Sequence, residues 1–309
     1  MEDLEHIDCP LCGSDKHDIA IVSKDYLFSQ KEFNISKCES CGVLFTNPRV
    51  KEDQISYYYY SDYSPFKEVK QLGLFQKAKN RLGCLFGNPH LEVLQILQSI
   101  KAGTVLEIGP GNGSLLYFLK DHGFEVIGIE KDSNCVELIR GKGIPCYLGD
   151  LNDVIDRIGT KKFDAIIMCQ VFEHLYHPKK TLRKIHNLLK EKGIIYLTLP
   201  NIGSFEARLF GKYWRGIDLP RHIVHYDINT IRATLTETGF NIIKLENHIF
   251  SSSFLESIAF RFFKKGKMPD KLYYLLYYPW KLLSPLHHIL IGSGIIEVIA
   301  IKNEKSNHE

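Results

Sequence analysis

Four of the eight cysteines stand in two close pairs, Cys9-Pro-Leu-Cys12-Gly13 and Cys38-Glu-Ser-Cys41-Gly42. Two thiols three positions apart on a tight turn reach one tetrahedral ion together. The glycine after each pair takes the positive φ that turns backbone amides toward the sulfurs. Cys9, Cys12, Cys38 and Cys41 therefore predict a four-thiolate metal site. The spacing reads as a zinc ribbon, with iron in the same cage as the other reading. Four protein ligands close such a site, so its work is folding and docking, not catalysis. Cys84, Cys135, Cys146 and Cys169 are scattered and read as core filler.

A second group carries ligand-binding chemistry. Glu107-Ile108-Gly109-Pro110-Gly111-Asn112-Gly113 sets three glycines between an apolar run and a helical pattern. Backbone amides at such a junction approach a ligand closely. The glycines alone do not choose the ligand. Glu107 does, because a carboxylate there suits an amino group and repels a pyrophosphate. Glu130 ends the next apolar run, where two oxygens can accept two ribose hydroxyls, an arrangement that fits NAD equally. Gly149-Asp150-Leu151 follows the third run. Asp150 there suits an adenine amino group and Leu151 the face of its ring. Gln170 closes the fourth. The plainer role of an acid at a strand end is a solvated cap.

These residues need strands to hold them. Apolar runs predict strands at Thr104–Ile108, Glu125–Glu130, Ile144–Leu148, Phe163–Cys169, Gly193–Leu199, Phe240–Asn247 and Ile295–Ile301. Helical patterns lie between them at Ser114–His122, Asn134–Lys142 and Pro178–Lys190. Strand-helix alternation argues an α/β fold with a parallel sheet covered on both faces. The chain divides into a ribbon (1–49), a tyrosine-rich helical lead-in or lid (50–98), the alternating domain (99–249), an aromatic and basic helical insertion (250–291), and a last strand with its tail (292–309).

With Glu107–Gly113, Glu130, Asp150-Leu151, Phe163–Pro178 and Gly193–Asn201 in this order, the sequence resembles the class I S-adenosylmethionine-dependent methyltransferases. The resemblance covers about residues 99–249 and the last strand. It implies a Rossmann-like sheet of seven strands, the last antiparallel beside Phe240–Asn247. It also implies S-adenosylmethionine as cofactor, with Glu107 serving the methionine amino group indirectly and Gly109, Gly111 and Gly113 passing beneath it. Glu130 would take the ribose, and Asp150 with Leu151 the adenine. The ribbon joined to this pattern is similar to the sugar C-methyltransferases, which implies that His174 and His222 face the substrate. The sequence departs from them at Arg221, where they carry an acid, and at Leu219, where a tyrosine is expected. The third, C-terminal domain of those enzymes has no counterpart here.

Methyl transfer needs an aligned nucleophile and often a base, and histidine suits the second task. His174 follows the fourth strand and His222 lies in the stretch Trp214–Tyr226; the alternative for His174 is a helix cap. His225 and Tyr226 read as packing or helix-start residues. The Tyr57–Tyr63 cluster reads as a lid or as a small core joining ribbon and main domain. Residues 251–290 carry nine aromatic side chains beside six basic and two acidic ones, which suits a membrane headgroup layer, a greasy acceptor pocket or a helical cap packed on its own domain.

Composition excludes a disordered or fibrous chain, with 44% hydrophobic and 24% charged residues among 309. The acidic start and the lack of a long apolar run lead to an expectation of a cytoplasmic protein, peripheral at the membrane if the insertion touches lipid. The reading is thus a methyltransferase for a small acceptor such as a sugar, a glycan or a lipid-linked precursor. A net charge of only +3 weighs against the rival, a nucleic-acid methyltransferase gripping through its ribbon. A non-catalytic binder of S-adenosylmethionine is the third reading, and Glu107 argues against an NAD-dependent dehydrogenase.

Overall fold

The computed structural model describes residues 4–59, 89–247, 253–263, 266–277, 279–280, 292 and 294–303. Its centre is a seven-stranded sheet. Five strands are parallel: β6 (Thr104–Ile108), β7 (Glu125–Glu130), β8 (Cys146–Leu148), β9 (Phe163–Cys169) and β10 (Leu189–Pro200). β12 (Phe240–Asn247) and β13 (Ile295–Lys302) complete it, in the order β12-β13-β10-β9-β6-β7-β8. β13 runs antiparallel to both neighbours.

β9 and the middle of β10 are apolar and buried on both faces, as parallel strands under two helical layers must be. Two strand limits differ from expectation. β8 starts at Cys146 and not at Ile144, since Pro145 between them has no amide for the ladder. β10 starts at Leu189, before a register shift that Lys190–Gly193 absorb. That early strand also ends the preceding helix at Leu188, short of the expected Lys190.

Helices connect the parallel strands: α2 (Ser114–Asp121), α3 (Ser133–Gly141), α4 (Leu151–Ile158) and α5 (Pro178–Leu188), with α1 (Pro89–Ser99) ahead of β6. α2 buries Leu115, Leu116 and Leu119 on one stripe. Its N-cap, Gly113, sits at φ +77, where a Cβ would meet Ile139 at 2.7 Å and Tyr117 at 2.9 Å.

The N-terminal cysteine unit is sewn into this body. Its antiparallel sheet has the order β11-β4-β3-β2, formed by β2 (His17–Lys24), β3 (Glu32–Cys38), β4 (Leu44–Thr46) and β11 (Val224–His225). One strand of this sheet, β11, therefore comes from the distant Trp214–Tyr226 stretch. Cys9, Leu11, Cys38, Val43 and Phe45 share one buried cluster with Phe172, Tyr176, Ile223 and Tyr226. The boundary at residue 49 is one of sequence, not of packing.

The insertion behaves in two ways. Helix α8 (Ser253–Phe262) packs inward through Leu255, Ala259 and Phe260, and Phe260 stacks on Tyr26 at 4.9 Å. Phe262, Tyr274 and Leu275 stay exposed. No helix among the described residues is long and apolar enough to cross a membrane. Tyr60–Tyr63, most of the lead-in, Cys84, and Lys264, Lys265, Tyr278 and Lys281 of the insertion lie outside the described residues.

Candidate functional site

A cavity of about 420 Å³ opens at the carboxyl ends of β6, β7, β8 and β9, where open α/β sheets bind ligands. Gly109, Gly111, Glu130, Asp150, Leu151, Gln170 and His174 line it. Glu107, Gly113 and His222 do not.

Gly109 and Gly111 carry φ of +71 and +53, which favours glycine. A Cβ at Gly109 would lie 2.5 Å from Val171, so the loop leaves no room for a side chain. Glu130 bridges the two loops above the strands. Its Oε2 accepts from the Gly111 amide at 2.8 Å, and its Oε1 accepts from Lys131 and Asp132 at 2.7 and 3.0 Å. Burial raises the Glu130 carboxyl, and these three amides pull it back.

Glu107 is buried one residue behind the cavity wall, and its Oε2 has no hydrogen-bond partner. Burial, helped by the Glu130 charge, pushes its carboxyl up to about 8. A buried acceptor left unmatched is costly, and a cationic ligand is the natural complement. Asp150 meets the plainer expectation as well as lining the cavity. Its Oδ1 caps α4 by accepting from Asn152 and Asp153 at 2.7 and 3.1 Å, while Oδ2 faces Lys131 at 3.5 Å. Gln170 holds φ +56, a strained value at the end of β9 of the kind found at ligand sites.

His174, on the cavity wall, meets a second imidazole behind it. His174 and His222 lie edge to face, with ring centroids 4.7 Å apart. His174 Nδ1 is 2.9 Å from the Arg221 carbonyl, and His222 Nδ1 is 2.9 Å from the Gly216 carbonyl. A carbonyl only accepts, so both neutral rings donate from Nδ1 and keep their lone pair on Nε2. Burial lowers His174 to about 4 and His222 well below its ordinary value, so both are neutral at pH 7.

Three neighbouring tyrosines divide their work. Tyr57 is exposed. Tyr58 is fully buried beside Phe33 and Trp214 in a satellite core. Tyr59 lines the cavity, with its hydroxyl 3.0 Å from His174 Nδ1. Tyr58 thus meets the small-core expectation, and Tyr59 faces the cavity.

Sequence reasoning missed Glu173, Asp218 and the cavity-lining pair Glu52 and Asp53. Glu173 is 2% exposed and neither carboxylate oxygen forms a proper hydrogen bond. Burial pushes it up to about 8, opposed by its own amide. Its only sequence signal is adjacency to His174. Asp218 is buried, and Arg215 and Arg221 hold it well below the usual carboxylate range against the effect of burial. Arg221 is a brace, not a substrate group: its guanidinium meets Asp218 at 2.7 Å and Asp25 at 2.9 Å. His225 sits in β11 with Nε2 3.3 Å from Thr46 Oγ1, and Tyr226 is buried in the main core.

The four N-terminal thiols converge. One sulfur from each of Cys9, Cys12, Cys38 and Cys41 lies within 4.8 Å of the others, with Cys9–Cys41 and Cys12–Cys38 at 3.5 Å. A tetrahedral ion with Zn–S bonds of about 2.3 Å spaces its sulfurs by about 3.8 Å, so the donor set fits. Gly13 and Gly42 take φ of +75 and +76 in the two knuckles. The amides of Cys41 and Ser40 with the Cys12 thiol outweigh burial at Cys38 and lower it to about 7.

Comparison with known proteins agrees with this geometry. Residues 74–245 match the family model of the methyltransferase domain. An uncharacterized methyltransferase of Alkaliphilus oremlandii (strain OhILAs) is 30% identical over 170 residues, 51% of this chain and 78% of that protein. The ubiquinone biosynthesis O-methyltransferase of Glaesserella parasuis serovar 5 (strain SH0165) is 28% identical over 106 residues, 31% of this chain and 45% of its own. Among solved structures, the plantazolicin methyltransferase BamL, in complex with a triazolic desmethylPZN analog and SAH, superposes with a TM-score of 0.52 at 16% identity. That likeness covers 81% of this chain and 94% of BamL, and it speaks for the fold.

Proposed function

The chain belongs to the methyltransferase-domain family and is an S-adenosylmethionine-dependent enzyme; on that premise we propose that it methylates a small-molecule acceptor held between the glycine loop and the His174–His222 pair. The observation that carries this reading is the unmatched Glu107 carboxylate behind a glycine cradle closed to side chains. Bound there, S-adenosylmethionine supplies an electrophilic methyl on a sulfonium. Glu107 serves the methionine amino group indirectly from behind the wall, Gly109 and Gly111 give it room, Glu130 receives the ribose hydroxyls, and Leu151 with Asp150 borders the adenine. Gly113 shapes the loop by starting α2. Gln170 faces the same space.

On the acceptor side, His174 and His222 activate the nucleophile through their Nε2 lone pairs. A small acceptor is favoured over nucleic acid because Glu52, Asp53, Asp132 and Asp150 line the cavity, and they repel a phosphodiester chain. A sugar, glycan or lipid-linked precursor meets that condition. The exposed Phe262, Tyr274 and Leu275, with the exposed Lys267 and Lys271 in the same insertion, support contact with a lipid surface. The four cysteines hold a structural zinc ion.

Calorimetric titration with S-adenosylmethionine, S-adenosylhomocysteine and NAD tests the cofactor half. The expected result is saturable binding of the first two and none of NAD. Methyl transfer from labelled cofactor to a panel of sugars, lipid-linked precursors and short RNA tests the acceptor half. Transfer to RNA alone would refute the small-molecule reading.

A further inference from the structure

Glu173, His174 and His222 form the second group of metal-ligand side chains among the described residues, apart from the cysteines. One ligand atom of each lies within 4.8 Å of the other two. Glu173 Oε1 is 3.8 Å from His222 Nε2. We propose that these three side chains bind a divalent transition-metal ion, with an acceptor oxygen as a further ligand on the cavity side. The proposal rests on the reading of this corner as the acceptor side, and it says how the two imidazoles serve there.

Three independent features point to a cation. First, Glu173 is 2% exposed and both of its oxygens lack a proper hydrogen bond. A carboxyl that deep is normally matched by several donors, and the nearest imidazole nitrogen here, His222 Nε2, turns a lone pair toward it at 3.8 Å. Second, both histidines are pinned the way ligating histidines are. Each gives Nδ1–H to a backbone carbonyl, at 2.9 Å in both cases, which fixes the tautomer and leaves Nε2 for a metal. Third, the three ligands come from two segments that meet beside the cavity. Glu173 and His174 share a single 3-10 turn, and His222 approaches from the 218–222 stretch. Two imidazoles and one carboxylate make only three protein ligands and leave further positions open, the pattern of a working site, whereas the four-cysteine site is closed.

The geometry needs little change. Bonds of about 2.1 Å separate neighbouring ligands by about 3.0–3.4 Å, so the Glu173–His222 contact must tighten by about half an ångström. His174 lines the cofactor cavity, so the open positions face the space where the acceptor must lie. Asp218 Oδ2, 3.8 Å from His222 Nε2, adds negative charge that favours the ion.

The test uses the full chain with its cysteine site first loaded with zinc. Cobalt(II) is then titrated and followed by absorption and by metal analysis. The expected result is one further equivalent of cobalt, with ligand-field bands but no thiolate-to-cobalt charge transfer. Glu173→Gln and His222→Gln should each weaken that equivalent at least 10-fold and leave the zinc in place. S-adenosylhomocysteine affinity is measured on the same samples. If cobalt adds no further equivalent, or if that equivalent is unmoved in both variants, the metal site is wrong. Should cobalt fail while S-adenosylhomocysteine still binds, the methyltransferase reading stands alone. Loss of S-adenosylhomocysteine binding by the wild-type chain would instead strike that reading. Far-ultraviolet circular dichroism of the variants separates lost ligation from lost folding, and a variant that unfolds is replaced by Glu173→Asp or His222→Asn.

Discussion

Glu130 Oε2 accepts the Gly111 amide at 2.8 Å across the gap between the ends of β6 and β7. The acid that the sequence assigns to a ribose is therefore already at work, tying the glycine loop to the next strand. Its other oxygen holds the turn at Lys131 and Asp132. On the proposed reading, ribose hydroxyls would meet the remaining lone pairs of a carboxylate whose position is fixed beforehand, which spares the cost of ordering it.

Replacing Glu130 by Ala removes an acceptor for three amides and for the ribose together. Hydrogen bonds to a charged group are worth about 1.5–3 kcal/mol each, so S-adenosylhomocysteine affinity should fall about 10- to 100-fold. The melting temperature should also drop. Glu130→Gln, which keeps one accepting oxygen, should lie between. Calorimetric titration decides: an alanine variant that binds like the wild type removes Glu130 from the ribose.

The legible part of this protein was local. The glycine loop, the acids at strand ends and the cysteine knuckles each lie within a few residues, and short spacing dictates their geometry. Strand-helix alternation then fixed the sheet, because every apolar run needs two covered faces. What stayed hidden depends on distant pairing. Arg221 finds Asp25 from 196 positions away, and Tyr59 finds His174 from 115 positions away. β11 is only Val224–His225, too short for periodicity, and it becomes a strand only because β4 offers an open edge. Glu173 carries no sequence signal beyond its place beside His174, and its burial appears only once the fold closes over it.

Glu107 predicts a pH signature. Its carboxyl stands near 8 in the fold against an ordinary 4.5. A carboxyl raised by folding stabilises the native state fully below the ordinary value and loses that contribution as pH climbs toward 8. The ligand-free protein should therefore lose stability across this window, and Glu107→Gln should flatten the slope. An ammonium group beside Glu107 favours its ionised form. Cofactor uptake at pH 7 should then release a proton, so the heat of S-adenosylhomocysteine binding should vary with buffer ionisation enthalpy. In Glu107→Gln that dependence should vanish. A wild-type heat independent of buffer would place the amino group elsewhere.

Metal removal should unfold more than the ribbon. Cys9 and Cys38 lie in the same buried cluster as Phe172 and Ile223, and β11 completes the ribbon sheet. A structural zinc ion contributes about 10–16 kcal/mol in small domains, comparable with the whole stability of an ordinary one. Chelation should lower a single cooperative melting transition and abolish cofactor binding at temperatures the loaded protein tolerates. Two separate transitions, with the larger one unmoved, would mean that the ribbon is an appendage.

The surroundings of Arg221 show why an acid cannot serve at this position. Its guanidinium donates to Asp218 Oδ1 at 2.7 Å, to Asp25 Oδ1 at 2.9 Å and to the Tyr58 carbonyl at 3.1 Å, all buried. Removing one partner of a buried ion pair costs about 3–5 kcal/mol, because the other charge is left behind. Arg221→Met should cost at least this much in urea denaturation. Arg221→Lys should recover only part, since a single ammonium cannot span two carboxylates and a carbonyl as the planar fork does. Arg221→Glu would bring three carboxylates together and should not fold. Pairing Arg221→Met with Asp25→Asn should return stability relative to Arg221→Met alone, because the neutral amide no longer needs a buried cation. A loss below about 1 kcal/mol in Arg221→Met would mean that water reaches Asp25 and Asp218, and the brace would then be a surface feature.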